Sequence, residues 1–274
     1  MNRPECTEFL QRCLPKLRLR WGGYRKVRQQ VCKRLSRRIG ELGLSGLPAY
    51  NNFLENHAEE WPILGSLCGI TISRFYRDRS VFDMLRSTIL PLLAERISGG
   101  GENELRCWSA GCCSGEEAYT LQILWKMSVI PHLNTNLPLR IIATDTDPAV
   151  LERARRGCYL ESSLRDLPKE WREPVFSSSG TCYTVREPFR SDIEFARQDI
   201  REQYPDGPFH LILCRNLVFT YFEESLQREV LERITERLVP GGILVIGLHE
   251  TIPKGVAAVI PYDNARCIYR TTAS

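Results

Sequence analysis

"LRCWSAGCCSGEEAYTL" at residues 105–121, followed by "LRIIATDTD" at 139–147, decides the fold. Leu105, Cys107 and Trp108 close a strand. Ser109, Ala110 and Gly111 make a turn small enough for a ligand to approach the backbone. Gly115 and Glu116 open a helix that continues through Tyr119, Leu121, Ile123 and Leu124. The second segment is an apolar strand with Asp145 just past its carboxyl end. An acid there, after a strand, a small-residue turn and a helix, is placed to accept hydrogen bonds from two ribose hydroxyls. The pattern points to a nucleoside cofactor.

The loop reads G-C-C-S-G, without the spacing of the dinucleotide fingerprint, and no phosphate-binding G-x-x-x-x-G-K-[ST] occurs. Glu116 and Glu117 stand where a pyrophosphate would want bare amides and positive charge. A carboxylate at that place suits a ligand carrying an ammonium group. S-adenosylmethionine has a ribose, an adenine, an ammonium and a sulfonium, and no phosphate. An ordinary α/β turn with a surface acid pair is the other reading of this loop, and both stay open here.

The chain has 274 residues, 43% hydrophobic and 26% charged, as in ordinary globular proteins. No apolar run approaches the roughly 20 residues that span a bilayer, and the N-terminus is too polar for a signal peptide. The 11 cysteines include no C-x-x-C pair and are expected to be reduced cytosolic thiols, mostly core filler. The four histidines (His57, His132, His210, His249) have no ligand spacing, so no zinc is expected.

Charge is uneven. Residues 1–45 carry Lys and Arg in large excess over Glu5, Glu8 and Glu41, so the remainder is net acidic in a chain of +4. Tyr24, Val27, Val31, Leu35, Ile39 and Leu42 recur at helical spacing, with Gly43 as the stop. Lys33, Arg34, Arg37 and Arg38 lie off that stripe, as a solvated face or as a docking face for an anionic partner. Nucleic acid and an acidic protein surface both qualify.

Residues 5–68 read as short helices broken near Gly22-Gly23, at 43–46 and near Pro62. Residues 80–97 read as a longer helix with Val81, Met84, Leu85, Ile89, Leu92 and Leu93 on its apolar face. "SGGGEN" at 98–103 is a hinge. Beyond it, apolar runs such as "FHLILCRNL" (209–217) and "GILVIGLHE" (242–250) alternate with helical patterns and end in polar residues. That predicts a parallel sheet with helices on both faces and ligands at the carboxyl ends of its strands. "CYTVRE" and "DIEFAR", within 175–197, predict a small antiparallel insert.

"ITISRFYRD" (70–78), the 105–121 motif, "IIATDTD", "VLERARRGCY" (150–159) and "LILCRNL" together resemble the CheR-type chemotaxis receptor methyltransferases, in order, over nearly the whole chain. The resemblance implies a Rossmann-like methyltransferase domain with a small N-terminal helical domain and a short antiparallel β insert. The boundaries expected are 1–79 and 80–274, with 80–103 as linker helix and hinge. It implies S-adenosylmethionine as cofactor and glutamate side chains on the cytoplasmic helices of chemoreceptors as substrate. It places Thr71, Ser73 and Arg77 near the methionine part, Arg77 pairing its carboxylate. Gly111 would sit against the cofactor, Glu116 on its ammonium, Asp145 on its ribose, and Asp199 and Ile200 at its adenine. Arg215 and Asn216 match the family's C-R-N at a strand end. Thr71 replaces the usual asparagine.

The family reads C-R-N, three apolar residues, then Tyr-Phe. "CRNLVFTYF" has one extra residue, so Tyr221 reaches the catalytic slot beside the methyl through a bulge, or Thr220 takes it. Arg77 and Tyr221 are the expected catalytic residues. The insert looks shorter than in members that dock on a receptor tail peptide, so tail-independent binding is expected. Arg34, Arg37 and Arg38 are the expected docking residues for the acidic receptor helices. The chain is expected to be cytoplasmic and monomeric, without membrane insertion or nucleic acid. The rival expectations are a methyltransferase on a small molecule or RNA, and a non-catalytic cofactor-binding module.

Overall fold

The computed structural model describes residues 3–133, 137–263 and 265–272. Its strands are β1 (Leu105–Ala110), β2 (Leu139–Asp145), β3 (Cys158–Tyr159), β4 (Phe176–Ser179), β5 (Cys182–Val185), β6 (Ile193–Arg197), β7 (Phe209–Cys214), β8 (Leu238–Ile246), β9 (Val259–Tyr262) and β10 (Ala265–Thr271). Seven of them form one sheet in the order β6-β2-β1-β7-β8-β10-β9. The first five run parallel, and β10 is antiparallel to both β8 and β9. Every residue of β7 is buried, because a central parallel strand is covered on both faces. The helix Glu116–Leu124 is buried almost all round for the same reason. Strand order reverses at β1, which lies between β2 and β7. The carboxyl ends of these three strands therefore frame a crevice.

Of the N-terminal helices Arg3–Cys13, Arg28–Glu41, Leu47–Asn56 and Glu60–Leu67, the second and the fourth border that crevice. Val31, Leu35 and Ile39 are buried as the stripe requires, and Gly43 ends the helix region with φ 67°. The expected break at Gly22-Gly23 is instead a helical turn, Trp21–Tyr24. A Cβ at Gly23 would stand 2.3 Å from the Thr220 carbonyl oxygen, so the glycine serves close approach rather than a break. Pro62 lies in the first turn of Glu60–Leu67, where its missing N–H costs nothing. The long helix runs as Arg79–Met84, a π turn Leu85–Ile89 and Leu90–Gly100. The wide turn precedes Pro91, which cannot donate to the preceding turn. That shift leaves Leu92 exposed, off the expected apolar face.

The antiparallel insert is smaller than 175–197. β4 and β5 form the hairpin around Gly180 and β3 joins it, whereas "IEFAR" is β6, the parallel edge partner of β2. Period-two alternation alone does not distinguish a hairpin strand from an edge strand of the main sheet. The cysteines are not all reduced: Cys6–Cys32 joins two N-terminal helices and Cys158–Cys182 joins β3 to β5. The pairs lie 26 and 24 residues apart, and such spatial meetings are not written in the local pattern. Cys13, Cys68, Cys107, Cys112, Cys113, Cys214 and Cys267 are free and buried, as core filler. Among the described residues no helix is long and apolar enough to cross a membrane.

Candidate active site

The site grows from two turns. After β1 the chain reverses at Gly111 with φ 75°, and a Cβ there would stand 2.6 Å from the Leu217 side chain. Gly115, φ 85°, starts the helix Glu116–Leu124 with its Cα against Ala154 and Phe195, which would crowd any side chain. Over these turns opens a cleft of about 780 Å³, within the range of about 300–1,000 Å³ usual for ligand sites. Gly111 and Asp145 line it from the strand ends, Thr71, Ser73 and Arg77 from the segment after the last N-terminal helix, and Arg215 and Asn216 from the end of β7. A recess of about 110 Å³ shares Gly111, Asp145 and Asp199 and adds Ile200 and Tyr221.

Glu116 is buried, and its Oε2 has no hydrogen-bond partner. Burial pushes its carboxyl above the usual range, against a hydrogen bond from Ser73. A buried carboxylate oxygen without a donor is costly unless a cation meets it. Asp145 accepts from the Cys113 N–H at 2.9 Å and the Asp147 N–H at 3.0 Å. Each carboxylate oxygen can accept twice, so capacity for ribose hydroxyls remains. Burial raises this carboxyl too, while the backbone donors pull it down. Arg77 donates to the Ile72 carbonyl at 2.6 Å and forms no ion pair among the described residues. These residues fit S-adenosylmethionine. Arg77 would hold its carboxylate, Asp145 its ribose and Ile200 its adenine. Glu117 lines the cleft and Glu116 does not, so Glu116 would meet the ammonium only from behind that lining.

Four further placements differ from the expectation. Asp199 lines the cleft, but Arg201 donates to both its oxygens, Nε at 2.9 and 3.0 Å. Burial would raise this carboxyl, yet the Arg201 bonds outweigh it and hold it low. Little acceptor capacity is left for an adenine amine. Arg215 is buried and acts mainly as a tie: it donates to Glu117 and Asp78 at 2.9 Å each and to the Arg77 carbonyl at 2.9 Å. Three of its five N–H donors are used in this way, and its Nε has no partner. Arg34 and Arg38 are not a free docking face. Arg34 donates to the Leu67 and Gly69 carbonyls and to the Thr71 hydroxyl, and Arg38 grips buried Glu60 at 2.9 and 2.7 Å. Arg37 alone of the three is exposed, without an ion pair among the described residues.

The extra residue in "CRNLVFTYF" is absorbed as a short helix, Val218–Tyr221. Thr220 turns its hydroxyl onto Glu250, and Tyr221 lines the recess with its ring 5.0 Å from that of Tyr24. Asn216 takes the left-handed conformation, φ 56°, which asparagine tolerates after a strand. Arg20 donates from its backbone to the Tyr221 carbonyl at 2.8 Å, joining the N-terminal region to this turn. Glu250, Asp78 and Arg201 were not singled out in the sequence, and Glu117 only as half of an acid pair. For Glu250 the signal was that "GILVIGLHE" ends in polar residues.

Residues 71–265 match the CheR methyltransferase SAM-binding domain. The chain is 37% identical over 188 residues to the chemotaxis protein methyltransferase of Listeria monocytogenes, covering 68% of each chain. It is 33% identical over 232 residues to that of Borreliella burgdorferi, covering 83% of this chain and 81% of the relative. Against that of Escherichia coli it is 34% identical over 233 residues, covering 81% and 76%.

Proposed function

The chain belongs to the CheR methyltransferase family and its cofactor is S-adenosylmethionine, and from that premise we propose that it methylates glutamate side chains on the cytoplasmic helices of chemoreceptors during chemotaxis. The observation that carries the reading is the cleft, whose lining brings Asp145 together with Arg37 and Arg77, neither of which forms an ion pair among the described residues. When bound, S-adenosylmethionine supplies an electrophilic methyl on a sulfonium. A glutamate side chain, pKa about 4.3, is already an anion at neutral pH, so no general base is required. The residues have to orient and exclude water. Such orientation can supply about 7–11 kcal/mol. Tyr221, packed on Tyr24, closes the recess where the two reactants would meet, and Arg37 lies where an acidic helix would dock.

Within this proposal the chain works in the cytoplasm. Its helical domain, first read as residues 1–79, is taken to end before Phe75, whose N–H donates to the Ser163 carbonyl at 3.0 Å, as Tyr76 N–H does to the Thr120 hydroxyl at 3.1 Å. The test is methyl transfer from labelled cofactor to a receptor cytoplasmic fragment, followed by mild base. Label released as methanol supports a carboxylate ester. Label retained after base, or found in RNA, contradicts the reading.

A further inference from the structure

Glu250 lies just beyond β8 and is buried beside the cleft without being part of its lining. Its Oε2 accepts from the Asn216 N–H at 2.8 Å and the Gly247 N–H at 2.6 Å, and its Oε1 from the Thr220 hydroxyl. One carboxylate therefore joins the turn after β7, the turn after β8 and the short helix that carries Tyr221. The packing leaves no slack: a Cβ on Gly247 would stand 2.7 Å from Glu250 Oε2 and 2.9 Å from Asn216 Oδ1. Asn216 holds a left-handed backbone that the Glu250 bond to its N–H fixes. A buried carboxylate is costly, and burial pushes this one above the usual range, with three donors and nearby Arg215 offsetting only part of the cost. An apolar residue here would leave the Asn216 and Gly247 N–H groups without an acceptor. The acid is explained by what it holds.

We propose that Glu250 is a positioning residue for methyl transfer, setting the Val218–Tyr221 helix so that the Tyr221 ring stands at the recess despite the extra residue before it. This rests on the reading of the cleft given above. Thr220 is the link: its hydroxyl bond to Glu250 turns the residue before Tyr221 inward, and Tyr221 then follows onto Tyr24.

The test uses Glu250→Ala, Glu250→Gln, Thr220→Val and Tyr221→Phe in the full chain. Hydrogen exchange reads the holding role without any turnover. Peptides spanning 216–222 should exchange faster in Glu250→Ala and Thr220→Val, while β7 keeps its protection. S-adenosylhomocysteine affinity, by calorimetry, should be essentially unchanged. The kcat for methyl transfer should fall about 10- to 100-fold, as small misplacements near a reacting centre do. Glu250→Gln should recover most of it, since its carbonyl can accept from both backbone N–H groups. Combined with Tyr221→Phe, Glu250→Ala should add little further loss, because the two act as a unit. Unchanged exchange at 216–222, or multiplicative losses in the double variant, would overturn the proposal. Should Glu250→Ala not fold, Thr220→Val carries the same test, since it removes one tie only. Wild-type protein without methyl transfer would sink the functional reading, while the exchange result would still decide the role of Glu250.

Discussion

Glu116 shows how one side chain couples the cleft to pH. Its carboxyl titrates above the ordinary glutamate value of about 4.3 because burial penalises the charge. For a carboxyl with a raised folded value, the stabilising contribution is complete below the unfolded value and is lost as pH rises through the folded one. A ligand ammonium reverses the preference, because it binds the ionised form. In mildly acidic solution, S-adenosylhomocysteine binding should therefore release a proton, and affinity should weaken as pH falls through the raised value. Calorimetry in two buffers of different ionisation enthalpy reads that release. Glu116→Gln should abolish it, which separates Glu116 from Asp145, whose carboxyl is raised as well. A buffer-independent heat in the wild type would place the ammonium elsewhere. Asp145→Ala should weaken the same ligand by about 1.5–3 kcal/mol, the worth of hydrogen bonds to a charged group, and unchanged affinity would remove the ribose assignment. Asp145 at the cleft could be read in advance, because strand and turn fix where it stands, whereas the helix start puts Glu117 rather than Glu116 on the lining. The capture of Asp199 by Arg201 could not be read, since it depends on how the turn after β6 folds the two side chains together.

The basic helix Arg28–Glu41 divides its charges by role. Arg38 meets a buried acid that also accepts from the Tyr50 hydroxyl at 2.9 Å, and the Arg38 bonds hold that Glu60 carboxyl low against burial. Arg38→Ala leaves a buried acceptor short of donors and should lower unfolding stability by about 1–3 kcal/mol in denaturant melts. Because the Glu60 value is depressed, this loss should be present at neutral pH and fade as pH falls below the usual carboxylate range. Arg37→Ala should move stability by less than about 0.5 kcal/mol. It should instead slow receptor methylation at low salt, the difference narrowing as screening shortens toward about 8 Å near physiological ionic strength. Equal receptor rates for wild type and Arg37→Ala at every salt would make that face merely solvated. The stripe of Val31, Leu35 and Ile39 was legible from its period. The partners of Arg34 and Arg38 were not, since they come from residues 60–71 on a neighbouring element. In the same way Gly23 read as a breaker because its reason, the Thr220 carbonyl, lies about 200 residues away in the chain.

At the scale of the molecule, helices above and strand ends below meet across one cleft, and ties such as Arg215 to Asp78 and Arg20 to the Tyr221 carbonyl keep them in register. The alternation of apolar runs predicted the parallel sheet, and the cleft opens at the strand ends that reading singled out. It could not separate β6 from the hairpin insert, or pair the cysteines, because both depend on contacts between distant segments. The central claim is that this cleft moves a methyl group onto a glutamate carboxylate. Peptide mapping by mass spectrometry, after incubating a receptor cytoplasmic fragment with S-adenosylmethionine and the protein, tests it most directly. Methyl groups are expected on glutamate side chains of the receptor helices, formed more slowly by Asp145→Ala when the cofactor is below saturation. Methyl groups on other residue types, or a wild-type rate in Asp145→Ala at that cofactor concentration, would contradict the proposed function.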